Sequence, residues 1–390
     1  MKIERVRVGD VLALQRRSVT VSPDAEYEEI GIRSFGRGIF HKEPISGLDL
    51  GGKRVFRIEP KDLVISNVFA WEGAIGVASD AEIGKIGSHR FMTFVPRDEL
   101  IDTAWASWFF LSEGGLELIR RASPGSAGRN RTLAIERFEA LEIPLPPITE
   151  QLRVSHQLGH LSRSVERAWR FMRRSEELAD ASAVSLTTRP DVGADSKCRA
   201  GWRRAILGDV LEVSTGAVTV EPDGRYPLAG IFSFGKGLID RGILAGTDTS
   251  YSTLTKLRAG DVVVSKLNGW EGAVAVVNDH FDGFHVSSEY PTFKTKPGDL
   301  RADYFRGIAR SPAFWSELNA NARGSMVRRR RINPSEFLAA EVWLPPIDTQ
   351  EAIARSVDKV NEVSNSYAHR SARIDTLLPA ALNVAFANLI

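Results

Sequence analysis

GIRSFGRG at residues 31–38 returns as GIFSFGKG at 230–237, and LPPITEQ at 145–151 returns as LPPIDTQ at 344–350. Both pairs are 199 residues apart. Gly9-Asp10 maps at the same offset onto Gly208-Asp209, Asp62 onto Asp261, Ser66 onto Ser265, Trp71-Glu72-Gly73 onto Trp270-Glu271-Gly272, and Gly125-Ser126 onto Gly324-Ser325. A period this long is a whole domain and not a solenoid repeat. The chain therefore reads as an internal duplication in which each copy is one globular domain followed by a tail.

Within each globular part, β-branched runs such as DLVISNV, AIGVA and FMTFV, then DVVVSKL and AVAVV, predict short strands. Residues 103–122 and 302–322 have helical apolar spacing, interrupted by Gly114-Gly115 and Pro312. The mixture predicts an α+β domain. After each Leu-Pro-Pro-Ile the prolines end an extended segment and a glycine-poor stretch begins. There Val154, Leu158, Leu161, Val165, Ala168 and Met172 fall on a heptad seam. The second copy keeps it as Ile353, Val357 and Val360 before turning polar at Ser364, Tyr367 and Ser371. These spacings predict globular domains at 1–147 and 201–346, spacer helices at 148–186 and 347–390, and a linker at 187–200. The helices are expected to pair as an antiparallel coiled coil.

Length and composition agree with this organisation. At 390 residues the chain exceeds what one hydrophobic core normally supports. A hydrophobic share of 43% and a charged share of 26% are those of globular proteins and not of disordered ones. No run of about 18 apolar residues occurs, and MKIERVRVGDVL lacks the apolar stretch of a signal peptide, so a cytoplasmic protein without a membrane partner is expected. The single cysteine, Cys198, has no partner for a disulfide and no neighbours at metal-ligand spacing. Net charge is +2, so nucleic-acid binding has to rest on where the arginines cluster.

The order domain, PPI-x-x-Q, heptad helix, domain, PPI-x-x-Q, heptad helix resembles the specificity subunits of type I restriction-modification enzymes over nearly the whole chain. LPPITEQ carries the family's junction, whereas LPPIDTQ departs from it at Thr349, which stands for the usual Glu. A second resemblance is the Gly-Ser plus basic segment upstream, GSAGRNRTL at 125–133 and GSMVRRRRI at 324–332. The resemblance implies that each globular domain reads half of a split site on double-stranded DNA. It also implies that the helices set the spacing and dock two methyltransferase subunits, which translocating endonuclease subunits can join. S-adenosylmethionine would then belong to the methyltransferase, with no cofactor in this chain.

Candidate DNA contacts follow from side-chain chemistry. Arg129 and Arg131 beside Ser126, and Arg328, Arg329, Arg330 and Arg331 beside Ser325, suit phosphate contacts, although such a run also suits a solvated surface. Ser34 and Arg37, and Ser233 and Lys236, lie among glycines that either admit close backbone approach to a ligand or simply form a tight turn. Asn67 suits adenine; Lys266 and Asn268 suit guanine and adenine at the corresponding place in the second copy. Trp71 and Trp270 read as core or loop anchors.

Enzyme-like strings are weaker. Gly230 to Lys236 has phosphate-loop spacing, but Gly237 stands where Ser or Thr would hold Mg²⁺. His156 and His160 lack the Glu of a zinc-protease helix, and the Pro-Pro pairs follow leucine and not the Asn or Asp of a methyltransferase motif. The chain is thus expected to be non-catalytic. The competing readings are a recognition subunit of another defence or modification system, or a nuclease or methyltransferase in its own right.

Overall fold

A computed structural model describes residues 3–125, 131–214, 216–322 and 330–387 together with Leu389, with the backbone alone for 363–372. It divides into two units, residues 1–170 with 370–390, and residues 171–369. Ser126, Arg129, Ser325, Arg328 and Arg329 lie outside the described residues.

In the first unit, an antiparallel sheet orders its strands Ile75–Val77, Leu63–Ser66, Phe91–Pro96, Leu12–Leu14. Leu63 and Leu14 both pair with Phe94, so the inward-facing positions stack in one layer. A second sheet holds Ile86–Ser88, Val55–Arg57 and Ser18–Val19, and a short pair joins Glu4–Arg7 to Glu142–Leu145. The second unit repeats the four-stranded sheet with Leu211–Val213, Thr292–Thr295, Val262–Val264 and Val274–Val276. Its other sheet is larger, with five strands including Arg225–Ile231 and Leu238–Ala245. The 199-residue offset read from motifs thus also relates strand to strand. It relates core to core as well: Phe94 meets Phe138 at 4.9 Å, and Phe293 meets Phe337 at 5.0 Å.

Each predicted helix after the sheet is two helices. Thr103–Leu111 ends at Ser112, whose hydroxyl accepts from the Gly115 N–H and so starts Glu113–Arg121. The break brings the chain so close to itself that a Cβ on Gly115 would lie 1.9 Å from the Phe109 carbonyl oxygen, which only glycine permits. In the second unit Ala302–Ala309 is followed by Pro312–Asn321, with the proline in the first turn, where its missing N–H costs nothing.

Two long helices, Ile148–Thr188 of 41 residues and Ile347–Phe386 of 40, would each extend about 60 Å at 1.5 Å per residue. Each begins in the unit whose chain it continues. Val154 and Leu158 are buried in the first unit's core, with Leu161 and Val165 half-buried beyond them. Val357 is buried in the second unit, between half-buried Ile353 and Val360. Each helix ends in the other unit. Leu382 and Phe386 are buried in the first unit's core, and Phe386 meets the rings of Trp105 at 5.9 Å and Phe109 at 5.7 Å. In the second unit, Tyr304 donates its buried hydroxyl to the Thr187 carbonyl at 2.7 Å. Burial holds that phenol's pKa far above its ordinary range, so it stays a neutral donor. Trp105 corresponds to Tyr304 and Phe386 to Thr187 at the common offset, so one position anchors the incoming helix end in both units by different chemistry. Residues 187–200, read as a linker, contain a short helix, Ala194–Arg199.

The glutamine of PPI-x-x-Q ties each helix to its domain. Gln151 is fully buried. It donates to the carbonyls of Leu100 and Pro146, both at 2.8 Å, and accepts from the Asp102 N–H at 2.9 Å. Gln350 repeats this with the carbonyls of Asp299 and Pro345 and the N–H of Arg301, all at 3.0 Å. Gln151→Leu would leave two acceptors and a donor facing an apolar group. It is expected to cost roughly 2–4 kcal/mol, read as a lower midpoint in urea, and Gln151→Glu should cost at least as much, because its buried carboxylate would face the two carbonyl oxygens that the amide N–H groups serve. A midpoint unmoved by the leucine would contradict this role.

Candidate nucleic-acid interface

The sequence motifs that stood apart along the chain meet at one place in each unit. In the first, the hairpin Ile30–Ile32 and Ile39–His41 carries the loop of residues 33–38, closed by Arg33 N–H donating to the Gly38 carbonyl at 3.0 Å. That loop lies on the Trp71-Glu72-Gly73 turn. The Phe35 N–H donates to the Glu72 carbonyl at 2.8 Å and the Gly36 N–H to the Gly73 carbonyl at 3.0 Å. The Ser34 hydroxyl donates to the Glu72 carboxylate at 2.9 Å. Gly73, at φ 78°, closes the turn in the left-handed region.

The basic segment reaches the same turn from the other side. The Arg131 guanidinium lies 5.4 Å from the Trp71 ring centre, and Leu133 N–H donates to the Asn67 carbonyl at 2.7 Å. Trp71 donates its indole N–H to Val68 within its own turn at 3.1 Å, which fixes the ring as an anchor. Ser34, Arg37, Asn67 and Arg131 therefore converge, but not on equal terms. Arg37 is exposed, Asn67 and Arg131 are half-buried, and the Ser34 hydroxyl is engaged within the loop. The Asn67 carbonyl oxygen of the side-chain amide is buried without a hydrogen-bond partner.

The second unit repeats the arrangement. Phe234 N–H and Gly235 N–H donate to the Glu271 and Gly272 carbonyls, both at 2.9 Å, and the Ser233 hydroxyl lies 3.5 Å from the Glu271 carboxylate. Ile332 N–H donates to the Lys266 carbonyl at 2.9 Å. Lys236 and Asn268 are exposed and Lys266 is half-buried. Both described arginines of the cluster have protein partners: Arg330 donates to the Asn319 side chain at 2.5 Å, and Arg331 pairs with Glu289 at 2.5 Å. The side chains that differ between the units, Asn67 against Lys266 and Arg37 against Lys236, are set on a common backbone frame. That is the layout of a surface that could read different bases in one geometry.

Sequence reasoning passed over Phe35 and Phe234 because an apolar residue reads as core. Both rings are exposed, 75% and 54%, at the tips of these loops. The stretch Gly230 to Lys236 belongs to a hairpin followed by the strand Leu238–Ala245, not to the strand-to-helix turn that a phosphate loop needs. His156 and His160 are exposed on the first long helix. Among the described residues, no group of three or more His, Cys, Asp or Glu could hold a metal ion, and no helix is long and apolar enough to cross a membrane.

No protein-family model and no curated protein matches the chain. Solved structures do. A chain from a study of complex assembly and conformational transition of the type I R-M system aligns with a TM-score of 0.63 and 19% identity, over 99% of each chain. The Type-I restriction-modification system S subunit from M. genitalium aligns with a TM-score of 0.54 and 12% identity, covering 98% of this chain and 96% of its own. The HsdS subunit from Thermoanaerobacter tengcongensis aligns over 99% and 97% at 19% identity, with a TM-score of 0.47. At these identities what the first two alignments show is a shared fold, with two α+β units and long helices.

Proposed function

We propose, from that shared fold, that the chain is the DNA-reading specificity subunit of a type I-like restriction-modification assembly. The observation that carries the reading is the duplicated loop-and-turn platform, with its basic segment, built by the same backbone hydrogen bonds in both units. Residues 1–147 would read one half of a split site on duplex DNA and 201–346 the other. Phosphate contacts would supply most of the affinity and the residues that differ between platforms the sequence preference.

The long helices would fix the distance between half-sites and dock two methyltransferase subunits, each bringing S-adenosylmethionine to an adenine. Translocating endonuclease subunits would join that complex. We assign no catalytic residue to this chain; methyl transfer and cleavage would belong to its partners in the cytoplasm. Because the platforms are alike, the two half-sites are expected to be related in sequence.

Single-molecule sequencing of adenine methylation, in source cells with and without the gene, tests this directly. Loss of one split motif on deletion is the expected result, and it returns both half-sites. A methylome that retains every motif would instead favour a recognition subunit serving another defence system.

A further inference from the structure

Phe35 and Phe234 combine two unfavourable features. Each has a left-handed backbone, at φ 61° and 62°, a region that bulky L-residues rarely occupy. Each also leaves most of its ring in water, so burial does not offset the strain. Among the described residues, the ring neighbouring Phe234 is Trp315, in an edge contact at 5.7 Å. Neither loop tip hangs free, because the N–H groups of Phe35 and Phe234 are themselves bonded to the Glu72 and Glu271 carbonyls. The strained ring is thus held out on a fixed mount. The duplication has kept it while changing its neighbours, Arg33 to Phe232 and Arg37 to Lys236.

We propose that Phe35 and Phe234 are apolar base contacts, one for each half-site, that press against the bases of duplex DNA when the surrounding cations engage the phosphates. The occupant is fixed by charge: exposed Arg33 and Arg37 share the loop with Phe35 and Arg131 lies over Trp71 of the adjoining turn, while in the second unit Lys236 takes the place of Arg37 and Lys266 stands at the position of Asn67. A polyanion with apolar surfaces between its charges fits this pattern, and aromatic side chains meet thymine methyls or wedge into base steps in just such settings. The inference rests on the proposed DNA-reading function but can fail separately from it.

Phe35→Gly and Phe234→Gly, singly and together in the full chain, form the test. Glycine accepts the left-handed backbone, so the variants are expected to keep or raise the melting temperature, which removes misfolding as an explanation. The probe is a duplex carrying the split motif returned by methylome sequencing, or, should none be returned, sheared genomic duplex. Each single variant is expected to bind the motif duplex roughly ten- to a hundredfold more weakly, the effect of leaving one phenyl ring unburied. The dependence of log K on log salt should be unchanged, because no phosphate contact is lost. Wild-type affinity in the double variant would overturn the inference and leave the proposed function standing. Unchanged duplex affinity with loss of co-elution of the methyltransferase subunit would place the rings against protein and overturn it too. A wild-type chain that binds neither duplex would overturn both.

Discussion

Phe386→Ala is expected to loosen a helix that lies nearly three hundred residues earlier in the chain. Phe386 is 1% exposed and completes an aromatic group with Trp105 and Phe109, both fully buried. Truncating a buried phenylalanine costs roughly 3–5 kcal/mol, the transfer of the ring plus the cavity it leaves. Leu382 stays in the same core and the Glu113 N–H still donates to the Asn383 side chain at 3.1 Å, but neither a smaller side chain nor an exposed hydrogen bond replaces the packed ring. With two units the chain need not unfold in one step, so a single global midpoint would blur the effect. Amide hydrogen exchange reads it locally. Thr103–Leu111 should exchange roughly a hundredfold faster or more in the variant, while Ala302–Ala309 in the other unit keeps its wild-type rate. Val384→Ala, two residues away but 78% exposed, serves as the control. Equal protection of Thr103–Leu111 in wild type and variant would mean that the helix end is an accessory to the first unit and not part of its core.

That same residue marks the limit of what the sequence discloses. The duplication, the strands and the starts of both long helices rest on local signals: glycine and proline placement, β-branched runs, heptad spacing. Each signal survives being read one window at a time. Phe386 and Leu382 sit in what reads as the tail of a spacer, and nothing near them announces that their partners are Trp105 and Phe109. The interface divides in the same way. Both GIRSFGRG and Trp71-Glu72-Gly73 stand out by repetition, but that one lies upon the other is a tertiary fact, made by Phe35 and Gly36 N–H groups reaching the 72–73 carbonyls. Ser34 illustrates the cost of missing it. As a polar side chain among glycines it reads as a ligand contact, whereas its hydroxyl serves the Glu72 carboxylate at 2.9 Å. Gln151 was legible as a motif position and not as a three-bond clasp, since its partners Leu100 and Asp102 lie about fifty residues upstream.

The arginine cluster of the second unit should show the largest effect on DNA binding, and its two described members, Arg330 and Arg331, are held by protein partners. With a net charge of +2 the chain has no general attraction for a polyanion, so affinity must come from local clusters such as this one. Each lysine or arginine that neutralises a phosphate contributes about −0.9 to the slope of log K against log salt. Arg331 is already paired with Glu289 and Arg330 with Asn319, so their charge or donors are partly committed within the protein. Arg328 and Arg329 lie outside the described residues. With each of the two meeting a phosphate, as the proposed function has it, Arg328→Ala with Arg329→Ala is expected to flatten the slope by about two and weaken binding roughly a hundredfold at moderate salt. Arg330→Ala with Arg331→Ala should change the slope by less than about one. Titrating the motif duplex at several salt concentrations separates the pairs. Equal effects would mean that the Glu289 and Asn319 contacts break on binding and release all four charges to DNA. An unchanged slope in both double variants would show that the cluster is a solvated surface and move the search for phosphate contacts to Lys236, Lys266 and their counterparts.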